Sequence, residues 1–177
     1  MSGADKRFLY SLPVLLVDVD GVISLFGFDP LTPPPGRWLN VEGVLHLISA
    51  TAGEALRNLA RDFELVWCTG WEEKAPAYLP AALGLPGATI HLSFERNPGR
   101  GNTHWKLAAI EAYAGPARPV AWIDDALDGR CRAWAEDRQG PTRLIETDPA
   151  LGITAEHVAA LRAWAQSIVS KRTPSAR

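Results

Sequence analysis

The chain has 177 residues, of which 47% are hydrophobic and 21% are charged, and its formal net charge is −2. This length and composition are typical of one soluble globular domain and exclude the disordered and fibrous classes. The nearly balanced charge argues against a nucleic-acid binder that works through a strongly basic surface, so nucleic acid is expected as a substrate only.

Cysteine usage and hydropathy bear on the compartment. Cys68 and Cys131 lie outside any metal-type spacing, and we expect both to be reduced thiols. No stretch approaches the roughly 20 apolar residues of a membrane span, and residues 1–16 lack the apolar core of a signal peptide. The sequence therefore predicts a cytoplasmic protein with no membrane partner.

Short apolar runs alternate with segments of helical character, which predicts a sheet with crossover helices. Strands are predicted at residues 14–17, 65–68 and 120–123, whose continuous apolar pattern is typical of strands buried on both faces. A further strand is expected at residues 144–145 and a weaker one at 90–94. The pattern predicts an α/β, three-layer, Rossmann-like fold with a central, mainly parallel sheet and helices on both faces.

Helices are predicted at residues 51–60, 73–83, 105–113, 129–138 and 155–168. Thr51 and Glu54 match the capping-box pattern at the start of the first of these helices. Thr103 and Thr154 are candidate N-caps for two of the later ones.

The stretch from residue 24 to residue 50 interrupts this alternation. It opens with four prolines and continues with two apolar segments at 37–41 and 44–48, which predicts a loop followed by a small β-hairpin flap instead of a full cap. We therefore expect a single domain over residues 8–170, with 24–50 as an insertion and 171–177 as a flexible tail.

Each of the three buried strands is followed by polar residues: Asp18-Val19-Asp20, Thr69-Gly70 and Asp124-Asp125. Ligands of open α/β sheets sit at the carboxyl ends of the strands, so three separate segments would deliver these side chains to one crevice. Lys106, at the start of a predicted helix, can reach the same edge. Each residue alone is explained as a turn former or helix cap, but the set together favours a functional site.

The chemistry of this set points to a hard cation and a phosphate. Carboxylates in one crevice repel one another unless a cation neutralises them, and Mg²⁺ prefers the oxygen ligands that Asp18, Asp124 and Asp125 offer. Lys106 would help to keep Asp18 ionised.

A phosphate cradle is expected after the second strand. There the side chain of Thr69 and the backbone N–H groups of Gly70 and Trp71 would face the phosphoryl oxygens at the start of a helix.

In order and spacing, four segments resemble the four motifs of the haloacid dehalogenase (HAD) superfamily: Asp18-Val19-Asp20-Gly21-Val22, Thr69, Lys106 and Asp124-Asp125. The resemblance extends from about residue 12 to the helix after Asp125. It implies that Asp18 forms an aspartyl-phosphate, and that Asp20 acts as general acid to the leaving oxygen and then as base for water.

The resemblance also implies binding roles. Thr69 and Lys106 would bind the phosphoryl oxygens, with Lys106 also orienting Asp18. Mg²⁺ would be held by the Asp18 carboxylate, the Asp20 backbone carbonyl, Asp124 and, directly or through water, Asp125. Asp128 is a minor candidate, because an Asp at this spacing is as readily a partner of a helix N-terminus.

The family resemblance further indicates the reaction class. Asp20 stands where family phosphatases carry an acid and family dehalogenases do not, which favours phosphate chemistry. Neither interval that holds a cap in the family is long enough for a large one, and an open site suits a bulky substrate or a lid from a second subunit in a homodimer. The prediction is a Mg²⁺-dependent phosphomonoesterase acting on a phosphorylated small molecule or macromolecular end, including a nucleic-acid end.

Two other functions remain open at this point. One is a binding or regulatory module that keeps the fold and binds phospho-ligands with little turnover. The other is a receiver-type switch domain, although there the acidic pair is expected at the first strand and the phosphorylated Asp at a later one, the reverse of this chain.

Tryptophans and histidines offer weaker candidates. Trp71 beside the cradle and Trp38 in the flap are candidates for stacking on substrate. Core positions are expected for Trp67, Trp122, Trp134 and Trp164. The four histidines show no paired spacing and are expected to be surface or hydrogen-bonded residues rather than ligands.

Overall fold

The computed structural model describes residues 12–94 and 104–172. Its strands are β1 Val14–Val17, β2 Ser24–Leu25, β3 Gly36–Val41, β4 Val44–Ser49, β5 Glu64–Trp67, β6 Val120–Asp124 and β7 Thr142–Glu146. Its helices are α1 Ala52–Leu59, α2 Lys74–Leu83, α3 Leu107–Ala114, α4 Gly129–Asp137 and α5 Ala155–Arg172.

Within the described residues, the central sheet has four parallel strands in the order β5-β1-β6-β7. Strand β1 pairs on both sides, with Val17 opposite Trp67 of β5 and Ile123 of β6. The ladder continues one step further, because the backbone N–H of Asp18 donates to the carbonyl of Ile123 at 3.0 Å. The residues that follow these three strands therefore emerge side by side at the carboxyl edge of the sheet.

Alternate residues of β1 face two separate cores. Leu15 and Val17 contribute to the core that contains α1, α2 and α5, whereas Leu16 contributes to the core that contains α3 and α4. Helices thus cover both faces of the sheet, which confirms the predicted three-layer α/β fold and explains why the strand reads as a continuous apolar run. Of the tryptophans predicted to be in the core, Trp67 and Trp122 are buried, and the other two are partly buried against a core cluster.

The small second sheet contains β2, β4 and β3, paired antiparallel in that order. The predicted hairpin is present as β3 and β4, and its turn residues Glu42 and Gly43 have φ values of 51° and 90°, as a tight hairpin turn requires. Strand β2 is an addition to the prediction, because its two residues are too short to give a pattern. We call this three-stranded sheet the flap; β2 joins it to the loop that follows β1.

Two details of the predicted strands and tail differ. The weaker strand expected at 90–94 is reduced to a single bridge between His91 and Trp67. Helix α5 continues to Arg172, and residues 173–177 of the predicted tail lie outside the described residues.

The predicted helix caps have mixed outcomes. Thr51 makes no side-chain cap bond, because its hydroxyl pairs with the Ser49 hydroxyl at 3.2 Å. Thr154 accepts from the backbone N–H of His157 at 3.4 Å, as an N-cap does. The third candidate, Thr103, lies outside the described residues. Among the helices of the described part of the chain, none is both long and apolar enough to span a bilayer.

Candidate active site at the carboxyl edge of the central sheet

The loop after β1 is a tight turn organised around one carbonyl. The carbonyl oxygen of Val19 accepts from the N–H groups of Ile23 at 2.8 Å and Ser24 at 2.9 Å. Gly21 has a φ of 73°, and a Cβ at this position would lie 2.4 Å from Cγ of Asp125. A side chain here is excluded by both backbone conformation and space, so glycine allows the turn to pack against Asp125.

Lys106 joins the first and last acidic motifs. Its Nζ lies 2.8 Å from Oδ2 of Asp18 and 2.6 Å from Oδ2 of Asp124. The Lys106 and Asp124 side chains are only 3% and 1% exposed, respectively. The predicted contact between the helix that starts near Lys106 and the carboxyl edge of the sheet is present in the structure.

The carboxylates of Asp18 and Asp124 each accept hydrogen bonds from further donors. The backbone N–H of Val19 donates to Oδ1 of Asp18 at 2.7 Å. The indole N–H of Trp122 donates to Oδ2 of Asp124 at 3.0 Å, and the N–H of Ala126 donates to its Oδ1 at 2.9 Å. Because several donors fix each carboxylate, the oxygens have defined directions before any ligand binds.

The acidic groups in this cluster outnumber the basic one, and this is reflected in their pKa values. Burial raises the pKa of Asp18 to about 7, with Lys106 opposing the rise and the charge of Asp124 adding to it. Burial and Asp124 likewise raise the pKa of Asp125. For Lys106 burial lowers the pKa, but the two contacting carboxylates more than compensate and raise it above its ordinary value. One ammonium therefore does not fully neutralise the acidic groups around it.

The donor set suits a divalent metal ion. Asp18, Asp124 and Asp125 each offer a carboxylate oxygen, and these oxygens lie within 4.8 Å of one another. All three donors are hard oxygen atoms, and a dipositive ion would offset the burial and the mutual repulsion that raise the pKa values of Asp18 and Asp125. The contribution expected from the Asp20 backbone carbonyl stays a prediction.

The residues of the predicted phosphate cradle lie in a tight turn after β5. Thr69 is buried, its carbonyl accepts from the N–H of Glu72 at 3.1 Å, and its Oγ1 accepts from the N–H of Trp71 at 3.3 Å. The N–H of Trp71 is therefore already paired inside the turn. Among the described residues, a Cβ at Gly70 would meet only Trp105, at 3.9 Å, so that part of the chain leaves the backbone at Gly70 open to close approach.

What we call the Asp18 cluster consists of Lys106, Asp18, Asp124 and Asp125. Asp20 lies beside this cluster and is more exposed. Its side chain is 52% exposed, and its Oδ2 accepts from the indole N–H of Trp71 at 3.0 Å. Trp71 itself is 8% exposed. The stacking role expected for Trp71 stays a prediction, whereas its indole N–H is directed at Asp20.

His46 belongs to this site and was missed by sequence analysis. It lies on β4 of the flap, with Nδ1 3.9 Å from Oδ1 of Asp20, and its ring meets that of Trp71 edge-on with centroids 4.5 Å apart. The sequence carries no spacing that marks this residue, because the contact exists only once the flap folds back over the loop after β1.

Two other candidates lie apart from the cluster. Asp128 is the N-cap of α4 and accepts from the N–H groups of Arg130 and Cys131, which matches its expected alternative role. Hydrogen bonding from Arg130 holds the pKa of Asp128 well below its usual range. Trp38 lies on the flap with 59% of its surface exposed.

Comparison with known proteins identifies a family. A sequence profile for the family described as "HAD domain in Swiss Army Knife RNA repair proteins" matches residues 14–158. This match confirms the resemblance to HAD-like hydrolases, a superfamily that generally uses a divalent metal, and it spans every residue of the Asp18 cluster.

The chain is also similar to the crystal structure of hypothetical protein XCC2798 from Xanthomonas campestris. The TM-score is 0.43 and the sequence identity 14%, with 92% of this chain and 90% of that chain covered. Among curated proteins none matches the chain significantly.

Proposed function

Because this chain belongs to the family of HAD domains in Swiss Army Knife RNA repair proteins, we propose that it is a Mg²⁺-dependent phosphomonoesterase that removes a terminal phosphate from RNA. The observation that carries the proposal is the buried bridge from Lys106 to Asp18 and Asp124, with Asp125 completing a group of carboxylate oxygens. This arrangement combines a nucleophile, a fixed cation and a place for a metal.

The first chemical step transfers the phosphoryl group to the protein. A carboxylate oxygen of Asp18 forms a bond to phosphorus while the bond from phosphorus to the leaving oxygen breaks. Asp20 donates its proton to that leaving oxygen, which departs as the free hydroxyl of the RNA end. Lys106 interacts favourably with the charge on the transferring group, and bound Mg²⁺ would supply further charge neutralisation.

The second step regenerates the enzyme. Asp20, now a carboxylate, takes a proton from a water molecule whose oxygen attacks phosphorus. The bond between phosphorus and Asp18 breaks, and inorganic phosphate leaves. Thr69 and the open backbone at Gly70 are proposed to bind the phosphoryl oxygens in both steps, since they follow β5 at the same edge of the sheet.

The substrate class rests on the family description and on the shape of the site. The insertion after β1 is a flap of three short strands, and Asp20 remains about half exposed beside it. An open site of this kind suits the end of a long molecule. With a net charge of −2, we expect recognition of the RNA end itself rather than of a long stretch of its backbone. The cytoplasmic location and the homodimer expected from the sequence stay predictions.

The decisive experiment measures phosphate release from RNA oligonucleotides with a 3′-phosphate or a 5′-phosphate and from p-nitrophenyl phosphate. Each substrate is tested with Mg²⁺ or excess chelator. We expect release that requires Mg²⁺ and falls at least about 10³-fold in Asp18→Asn, since removal of a nucleophile has effects of this order or larger. Asp137→Asn, the same change at an exposed position at the end of α4, should retain full activity.

Three results would contradict the proposal. Undiminished phosphate release by folded Asp18→Asn would show that Asp18 is not the nucleophile. Phosphate release from p-nitrophenyl phosphate but from neither RNA oligonucleotide would exclude RNA ends as the substrate class. Mg²⁺-dependent binding of vanadate with no turnover of any substrate would favour the alternative of a phospho-ligand binding module.

A further inference from the structure

Asp20 has a neighbour that its proposed role does not explain. The indole N–H of Trp71 donates to Oδ2 of Asp20 at 3.0 Å across 51 positions of sequence. Trp71 is 8% exposed, whereas the Asp20 side chain is 52% exposed. A well-packed donor thus holds one oxygen of this carboxylate, whose other oxygen, Oδ1, lies 3.9 Å from Nδ1 of His46.

Trp71 is in turn held by the flap and by the turn after β5. The His46 ring packs edge-on against it at 4.5 Å, and Nδ1 of His46 pairs with the hydroxyl of Ser24 at 3.0 Å. The backbone N–H of Trp71 pairs with Oγ1 of Thr69 at 3.3 Å. The ring therefore packs against His46 of β4, which Ser24 of β2 holds in turn, and the backbone of Trp71 is held by Thr69 in the turn after β5.

The chemistry of the indole suits it to hold an acid without competing with it. An indole N–H is a donor only and neither gains nor loses a proton at ordinary pH. Its bond to Oδ2 leaves Oδ1 of Asp20 to exchange a proton with the leaving oxygen and later with water. Aspartate can otherwise adopt several staggered rotamers, of which only some direct an oxygen to the leaving oxygen of the substrate.

We propose that Trp71 is a positioning residue that fixes the orientation of the Asp20 carboxylate for proton transfer, and that the flap supports it through His46. This inference rests on the proposed function, in which Asp20 is the general acid and base. It gives the flap a task in the chemical step besides any contact with substrate.

The hydrogen bond can be tested without any enzyme activity. In protein labelled with ¹⁵N-tryptophan, the indole N–H resonance of Trp71 is identified by its loss in Trp71→Phe. We expect this resonance to shift in Asp20→Ala, because its acceptor is gone, while the resonance of Trp164, whose ring stacks on Phe63, stays in place. An unshifted Trp71 resonance in Asp20→Ala would overturn the inference.

The kinetic test uses Trp71→Phe, which keeps an aromatic ring and removes the donor. We expect kcat/KM to fall about tenfold for an RNA-end phosphate, equivalent to about 1.4 kcal/mol. The fall should be smaller for p-nitrophenyl phosphate, whose good leaving group needs little help from an acid. Trp164→Phe, the same change at a ring stacked on Phe63, should leave both values unchanged.

A double variant separates positioning from a general effect on folding. If Trp71 acts through Asp20, Trp71→Phe should cause no further loss in an Asp20→Ala background. An equal fractional loss in both backgrounds, or full activity of Trp71→Phe on both substrates, would overturn the inference while leaving the proposed function intact. Absence of phosphate release by the wild-type protein would instead contradict the proposed function, and the resonance shift would still decide whether the hydrogen bond exists.

Discussion

The two edges of the central sheet each carry a cluster of charged side chains. The clusters differ in how well their positive and negative charges balance. At the carboxyl edge, Lys106 contacts Asp18 and Asp124, and all three side chains are at most 10% exposed. At the amino edge, Arg118 contacts Glu64, with 21% and 31% of their side chains exposed.

The amino-edge cluster is matched in charge. Arg118 donates to Glu64 at 2.8 Å and to the carbonyl of Leu12 at 3.0 Å, while the Tyr113 hydroxyl donates to the same carboxylate. Hydrogen bonding from Arg118 lowers the pKa of Glu64 despite partial burial. These bonds join the residues before β1 to β5, α3 and the loop before β6, which is a stabilising task.

The direction of the pKa changes separates the two clusters. The pKa of Glu64 is lowered, as in an ion pair that stabilises the fold, whereas the pKa of Asp18 is raised to about 7. An acid that is harder to ionise in the folded protein weakens stability unless another cation binds. Excess buried negative charge thus marks the edge that suits a ligand.

The largest effect on stability is expected from Lys106→Met. The change leaves Asp18 and Asp124 buried without their cation, and we expect a loss of about 3 kcal/mol in the free energy of unfolding. Urea denaturation without divalent ions measures it. Adding Asp18→Asn should recover part of the loss, because it removes one of the two charges. A double variant no more stable than Lys106→Met would show that charge repulsion is not the cause.

Metal binding is expected to stabilise the carboxyl edge and not the amino edge. Mg²⁺ should raise the melting temperature. At a concentration 100 times its dissociation constant, it should increase the free energy of unfolding by about 2.7 kcal/mol. Asp124→Asn should remove this increment because it removes a ligand, whereas the exposed control Asp137→Asn should keep it. Equal increments in both variants, measured by thermal unfolding with Mg²⁺ or chelator, would place the metal elsewhere.

The smallest effect is expected at the amino edge. Glu64→Gln should lower the free energy of unfolding at pH 7 by about 1 kcal/mol or less, because the pair is partly exposed, and phosphate release should be unchanged. The folded-state pKa of Glu64 is below its ordinary value of 4.5, so its stabilisation is fully present above about pH 4.5. It is lost as pH falls through the lower folded-state value.

Denaturation curves of both proteins at a series of pH values test this sign. The difference between wild type and Glu64→Gln should shrink below pH 4.5. A difference that grows on acidification would mean that Glu64 is not ionised more readily in the folded protein.

The sequence alone determined the sheet and the main acidic set. Continuous apolar runs identified β1, β5 and β6, and parallel pairing places the ends of such strands at one edge whatever the detailed packing. That argument predicted the proximity of Asp18 and Asp124, which the structure confirms through their shared contact with Lys106.

Only the tertiary structure decided how the flap completes the site. The bond from Trp71 to Asp20 spans 51 positions and the pair of Ser24 with His46 spans 22, and neither belongs to a periodic pattern. The two-residue strand β2 is likewise too short to leave a recognisable pattern in the sequence. Periodicity records which face of an element is buried, but the meeting of particular side chains depends on how the flap folds back over the loop after β1.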